Sequence, residues 1–129
     1  MRVLLDAHAL LWWVTTAGSR ISQRARGLLE DGETTALVSA SVLYEIAIKA
    51  AIGRLELPGP AESYLPRLLR KHTFGVLPIE EGHALRAGAL PLIHRDPWDR
   101  LLIAQAQIED VPIVTADPLI GQYDVDVIW

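Results

Sequence analysis

Apolar positions along this chain follow two rhythms. Short unbroken runs, such as Val3-Leu4-Leu5 and Ala36-Leu37-Val38, read as strands buried on both faces. Between them, apolar residues recur at helical spacing. Residues 2–5 form the first predicted strand, ending at Asp6, and 7–15 an amphipathic helix that Ala17-Gly18-Ser19 breaks. A second helix over 22–29 carries Ala25, Leu28 and Leu29 on one face, and Asp31-Gly32-Glu33 turns the chain into a strand at 35–38. Ser39-Ala40-Ser41 offers hydroxyl caps for a helix over 42–52, which Gly53 closes.

The second half repeats the alternation. A loop at 57–60 leads to a helix over 61–71, a strand at 74–77 stopped by Pro78, and a helix over 80–88. After an irregular link at 90–95, Asp96-Pro97 starts a helix reaching Glu109, with Asp as cap and Pro in the first turn. Strands at 112–115 and 125–129 complete the pattern, separated by Ala116-Asp117-Pro118 and a short helical turn. Alternating short strands and helices predict an α/β fold in three layers: a central, mostly parallel sheet of about five short strands flanked by helices. No repeat, low-complexity tract or linker interrupts the pattern, so residues 1–129 are expected to form one domain.

Composition narrows the chemistry. With no cysteine there is no disulfide, thiolate metal site or Cys nucleophile. The opening Met1-Arg2-Val3-Leu4-Leu5-Asp6 lacks the apolar core of a signal peptide, and no apolar run approaches the roughly 20 residues that span a bilayer. A cytoplasmic protein with no membrane association is expected. The net charge of −4 opposes phosphate binding unless the acids gather in a cleft that binds cations.

Ligands of open α/β sheets bind beyond the carboxyl ends of the strands. Asp6 ends the first strand, and Asp117 lies two residues beyond the strand ending at Thr115. Glu45 stands near the start of the helix after the second strand, and Asp99 in the first turn of the helix begun by Pro97. Each has an ordinary explanation. Asp6 could cap a helix, Glu45 could face solvent, Asp99 could favour a helix dipole, and Asp117-Pro118 could start a turn. Those explanations leave unexplained why all four fall at one end of the sheet. Gathered acids raise each other's pKa values, and Mg²⁺ or Mn²⁺, which prefer oxygen ligands, would relieve the repulsion.

Four stretches carry a resemblance: Leu4-Leu5-Asp6-Ala7-His8, Ser39 to Ile46, His94 to Ala106, and Val114-Thr115-Ala116-Asp117-Pro118. In order and spacing they resemble PIN-domain ribonucleases, in particular VapC-type toxins of toxin–antitoxin pairs. The resemblance implies that Asp6, Glu45, Asp99 and Asp117 are metal-binding and catalytic, with Asp6 and Asp99 first for direct metal contact. Asp96 and Thr115 are accessory positions. It also implies a Mg²⁺-dependent endoribonuclease (Mn²⁺ could substitute) that acts as a homodimer and is held inactive by a small VapB-like antitoxin. The alternative is a PIN-like binding module without activity.

Rival families fit less well. A receiver domain needs paired acids after its first strand and a haloacid-dehalogenase-like phosphatase needs Asp-x-Asp; this chain has Asp6-Ala7-His8. His8 and His94 flank the acids without metal-ligand spacing, and polar contacts or surface positions are expected of them. Trp12, Trp13 and Trp98 are expected to pack, with one of the first two free for an interface. Arg67, Arg70 and Lys71, then Arg20, Arg24 and Arg26, are the local basic groups.

Overall fold

The computed structural model describes residues 1–16 and 18–129. Elements follow the predicted order: β1 (Arg2–Leu5), α1 (Ala7–Thr15), α2 (Gln23–Glu30), β2 (Thr35–Ser39), α3 (Ala40–Ala51), α4 (Ala61–Lys71), β3 (Gly75–Leu77), α5 (Glu81–Ala89), α6 (Pro97–Glu109), β4 (Ile113–Val114) and β5 (Val127–Ile128). A short 3-10 turn covers Ile120–Gln122. Of the predicted break after α1, Ala17 lies outside the described residues. Gly18 adopts a left-handed φ of +77°, and a Cβ there would come within 3.1 Å of the Trp13 ring.

Ladder order is β3-β2-β1-β4-β5, and every pairing is parallel. The chain thus builds outward from β1 on one side, then crosses to build β4 and β5 on the other. That reversal places a crevice between the carboxyl ends of β1 and β4. As the central strand, β1 contributes Val3, Leu4 and Leu5, all fully buried. Beside it lie Val38 of β2, Ile113 and Val114 of β4, and Ile46, Leu102 and Ile103 from the covering helices.

Several boundaries shift by one residue, and three elements, α3, β4 and β5, differ by more at one end or in length. The helix α3 starts at Ala40 rather than at residue 42, because Ser39, the first of the hydroxyl caps that the sequence offers, is the one used: its Oγ accepts the Ser41 N–H at 3.0 Å. The last strands are shorter, since Ile113 and Val114 pair with only Val127 and Ile128. Pro112 has no N–H to extend the ladder, although its carbonyl accepts from the Leu4 amide at 2.9 Å. Among the described residues no helix is long and apolar enough to cross a membrane.

Candidate active site

The site grows from the ends of β1 and β4. Asp6 leaves β1 in an extended conformation and caps α1, with Oδ1 accepting the Ala9 N–H at 2.8 Å. Its other oxygen accepts the Thr115 hydroxyl. That hydroxyl oxygen in turn accepts the Asp117 N–H at 3.0 Å, so one buried side chain ties the two strand ends together. Asp117 spends Oδ1 on the Leu119 amide, at 2.9 Å, which shapes the turn after β4. Its Oδ2 pairs with His94.

Two helices supply the remaining acids. Asp99 sits in the first turn of α6, whose cap is Asp96; there Oδ1 accepts the Trp98 N–H at 2.9 Å. Glu45 lies in the second turn of α3, on the face that buries Val42 and Ile46, and is only 4% exposed. One turn on, Lys49 reaches back, with Nζ 2.7 Å from Glu45 Oε2.

His94 joins the two halves. Its Nε2 is 2.9 Å from Asp117 Oδ2 and 3.1 Å from Asp99 Oδ2, and the ring is buried. The Asp96 amide donates to Nδ1 at 3.2 Å, so Nδ1 carries no proton and Nε2 is the donor to the two carboxylates. The loop bearing the ring is itself clamped. Tyr123 OH accepts from the Ile93 and His94 amides at 3.1 and 2.7 Å and donates to the Pro91 carbonyl. The buried Arg100 guanidinium donates to four carbonyls of the same segment, those of Ala87, Leu90, Pro91 and His94.

Electrostatics shows that the acids share one neighbourhood. Burial pushes the Asp99 carboxyl up to about 7; the charge of Asp96 adds to this, His94 opposes it, and Glu45 and Asp6 add to it again. Burial also raises Asp6, against the hydrogen bonds from Thr115 and Ala9, and Asp117 raises it slightly further. A buried group of carboxyls held above its ordinary range is a site that resists ionising alone.

Thr115→Val tests the tie between the strands. It leaves Asp6 without its hydroxyl donor and the Asp117 amide without an acceptor. The expected cost is about 1–3 kcal/mol of stability. Because the Thr115 hydrogen bond lowers the Asp6 pKa, the loss is expected to be larger at pH 8 than at pH 4. Thermal denaturation at the two pH values checks it.

A family model described as "PIN domain" matches residues 3–126. The chain belongs to the PIN domain family. Solved structures share its fold at low identity. VapBC2 from Rickettsia felis, bound to a promoter DNA fragment, superposes with a TM-score of 0.74 at 14% identity, covering 99% of this chain and 98% of that one. DNA-bound VapBC from Salmonella typhimurium gives 0.70 at 14% identity, with 99% and 97% covered. A toxin–antitoxin complex from Klebsiella pneumoniae gives 0.67 at 17% identity, with 98% and 96% covered. No curated protein matches the sequence.

In this PIN domain the four acids expected to act together do converge, and Thr115 touches one of them directly. Asp96 lies beside Asp99 but uses a carboxylate oxygen to cap α6, as its sequence context predicts. His94 goes beyond the expectation of an ordinary polar contact, since it bridges two of the acids. Lys49 is an addition to the residues expected from the sequence, and its spacing of four residues from Glu45 on one helix is the signal that points to it. Nothing local could have revealed the Arg100 and Tyr123 clamp. Trp98 packs as expected, its ring centroid 4.7 Å from that of Tyr44.

The donor set suits a hard divalent cation. One oxygen each of Asp99 and Asp117 lie within 4.8 Å of each other, with the protonated Nε2 of His94 beside them to orient rather than to ligate, and the raised pKa values of Asp99 and Asp6 mean that a cation is better accommodated here than bare negative charge. A cavity of about 280 Å³, lined by Asp6, His8, Trp12, Ala116 and Asp117, opens the cluster to solvent. The acids Asp110, Asp124 and Asp126 line a different cavity, shared with Arg86 and located where β4 and β5 begin rather than end.

Proposed function

We propose that this protein is a Mg²⁺-dependent endoribonuclease, the toxin of a toxin–antitoxin pair, acting through Asp6, Glu45, Asp99 and Asp117. PIN domains are generally nucleases. The observation that carries the reading is the electrostatic coupling of Asp99 to Glu45 and Asp6, and of Asp6 to Asp117, beyond the carboxyl ends of β1 and β4. Four carboxylates brought together from distant parts of the chain are costly unless cations use them.

Asp6 and Asp99 would hold Mg²⁺ or Mn²⁺ directly, with Glu45 and Asp117 binding directly or through water. The ion would lower the pKa of a water and offset charge on phosphate oxygens. The water oxygen would bond to phosphorus as the bond to one ribose oxygen breaks. Glu45 or Asp117 would accept the proton of that water. Thr115 orients Asp6, and the Asp96 amide fixes the donor nitrogen of His94 toward Asp99 and Asp117. No side-chain nucleophile is required.

The structural relatives are toxin–antitoxin assemblies, which supports a small VapB-like antitoxin as partner. We also read the protein as cytoplasmic and the whole of residues 1–129 as one PIN unit. A homodimer is expected, and light scattering that shows a monomer at micromolar concentration overturns that part.

The direct test incubates purified, antitoxin-free protein with structured RNA and Mg²⁺, beside an EDTA control and Asp99→Asn. Cleavage confined to the Mg²⁺ reaction of the unsubstituted protein is the expected result. Cleavage that survives both controls overturns the reading, and no cleavage under any condition favours a binding module instead. Growth arrest on expression, relieved by a neighbouring gene, would separate a toxin from a housekeeping nuclease.

A further inference from the structure

Two cavities meet at the first helix. His8 and Trp12 line the small one that contains Asp6 and Asp117. The same two residues line a second, of about 560 Å³, with Arg20, Leu57, Pro58 and Tyr64 among its other walls. Trp12 therefore stands at the boundary between the acids and a larger, mixed aromatic and polar space. The volume lies within the range of small-ligand sites.

We propose that this second cavity receives an unpaired nucleobase next to the scissile phosphate, stacked on the Trp12 indole. This inference rests on the ribonuclease reading and extends it to the form of RNA that the site accepts. Three observations carry it. First, Trp12 is positioned from several sides: the ring centroids of Trp129 and His8 lie 5.8 and 5.6 Å from its own, both tilted. A ring so held keeps its orientation while still lining both cavities, so a base can stack on it at little cost in side-chain entropy.

Second, the Arg20 guanidinium lies 5.9 Å from the Trp12 ring centroid. Phosphate attraction in a chain of net charge −4 has to be local, and Lys49 is already engaged by Glu45. Arg20 supplies positive charge over the Trp12 ring, in the wall of the second cavity itself. Third, Glu56 also lines the cavity. A carboxylate there disfavours a phosphate inside but can accept a hydrogen bond from the amino group of a base edge. The walls thus offer a base an aromatic ring and a carboxylate, and offer its attached phosphate the Arg20 guanidinium. A paired base has both faces covered, so only single-stranded RNA can offer one to the indole.

The test separates this inference from the reading beneath it. Cleavage of a single-stranded RNA by the unsubstituted protein with Mg²⁺ is measured first; if no RNA is cut, the ribonuclease reading falls and the subsite with it. Binding is then followed by fluorescence anisotropy in the Asp99→Asn background. The probes are a labelled single-stranded RNA and the same RNA made abasic in turn at each nucleotide flanking the cut. Trp12→Leu is expected to weaken binding of the intact RNA about tenfold, and to leave unchanged the binding of the RNA abasic at one flanking position. Trp12→Phe retains a ring and is expected to restore most of the affinity. Should Trp12→Leu disturb the fold, Arg20→Gln provides the second measurement. It is expected to lower affinity severalfold and to flatten the salt dependence by about one ion. Equal losses on intact and abasic RNA, or no loss on either, overturn the proposal.

Discussion

Asp99→Asn is expected to abolish RNA cleavage while making the metal-free protein more stable at pH 8. The two effects have one cause. In the folded protein the Asp99 carboxyl is held at about 7, chiefly by burial and then by Asp96, against an ordinary value of 3.8. A pKa raised on folding means that the native state binds the proton more tightly than the unfolded chain. Native stability therefore falls as pH rises from about 4, and the loss is complete somewhat above 7. A shift of that size corresponds to on the order of 4 kcal/mol. Asparagine matches the shape, keeps an oxygen for His94 to donate to, and never ionises, so its variant escapes that loss. Activity moves the other way. Even residues that only orient a metal ligand commonly contribute tenfold to a hundredfold, so loss of Asp99, which we propose binds the ion directly, is expected to cost at least about a hundredfold. Thermal denaturation across pH 5 to 8, paired with cleavage rates, checks both. An Asn variant that melts below the unsubstituted protein at pH 8 would contradict the electrostatic account, and one that cuts RNA normally would remove Asp99 from the chemistry.

Adding Mg²⁺ is expected to raise the melting temperature, and to do so more at pH 8 than at pH 5.5. Carboxylates must lose their protons to hold a cation, so binding competes with protonation of Asp99 and Asp6, both raised by burial. A cation at a hundred times its dissociation constant adds about 2.7 kcal/mol to the native state. That is comparable with the stability that ionised Asp99 takes away. EDTA should reverse the effect, and binding near neutral pH should release protons measurable in weakly buffered solution. In Asp99→Asn, both the stabilisation and its pH dependence are expected to shrink. If Mg²⁺ and Mn²⁺ leave the melting temperature unchanged at pH 8, the acids are not a cation site in the free protein.

Much of the frame is legible in the sequence. Val3-Leu4-Leu5 and Ala36-Leu37-Val38 are long enough apolar runs to be strands, and Asp96-Pro97 is a strong enough start to place α6 to the residue. Sequence and structure differ at the edges of elements, where pairing partners decide. Strand β5 holds two residues because β4 offers only Ile113 and Val114 to pair with. Ser39 rather than Ser41 caps α3, a choice among three adjacent small residues that depends on where the ladder with β3 ends, at Ser39 itself. The site shows the same division. Asp6, Glu45, Asp99 and Asp117 were each identifiable from their place at a strand end or in an early helical turn. His94, in an irregular link with no periodic pattern, carried no signal of its place between two of them.

The sequence by itself determined the elements, their order and the end of the sheet to which the acids belong. Those follow from periodicity, caps and strand ends, which are local properties of the chain. The tertiary structure alone decided that β1 lies between β2 and β4, which is what opens the crevice at Asp6. It also decided that Arg100 and Tyr123 clamp the His94 loop, that His94 bridges Asp99 and Asp117, and that Asp99 is held near 7. Each of these depends on burial and on distances between groups remote in sequence, and packing sets both.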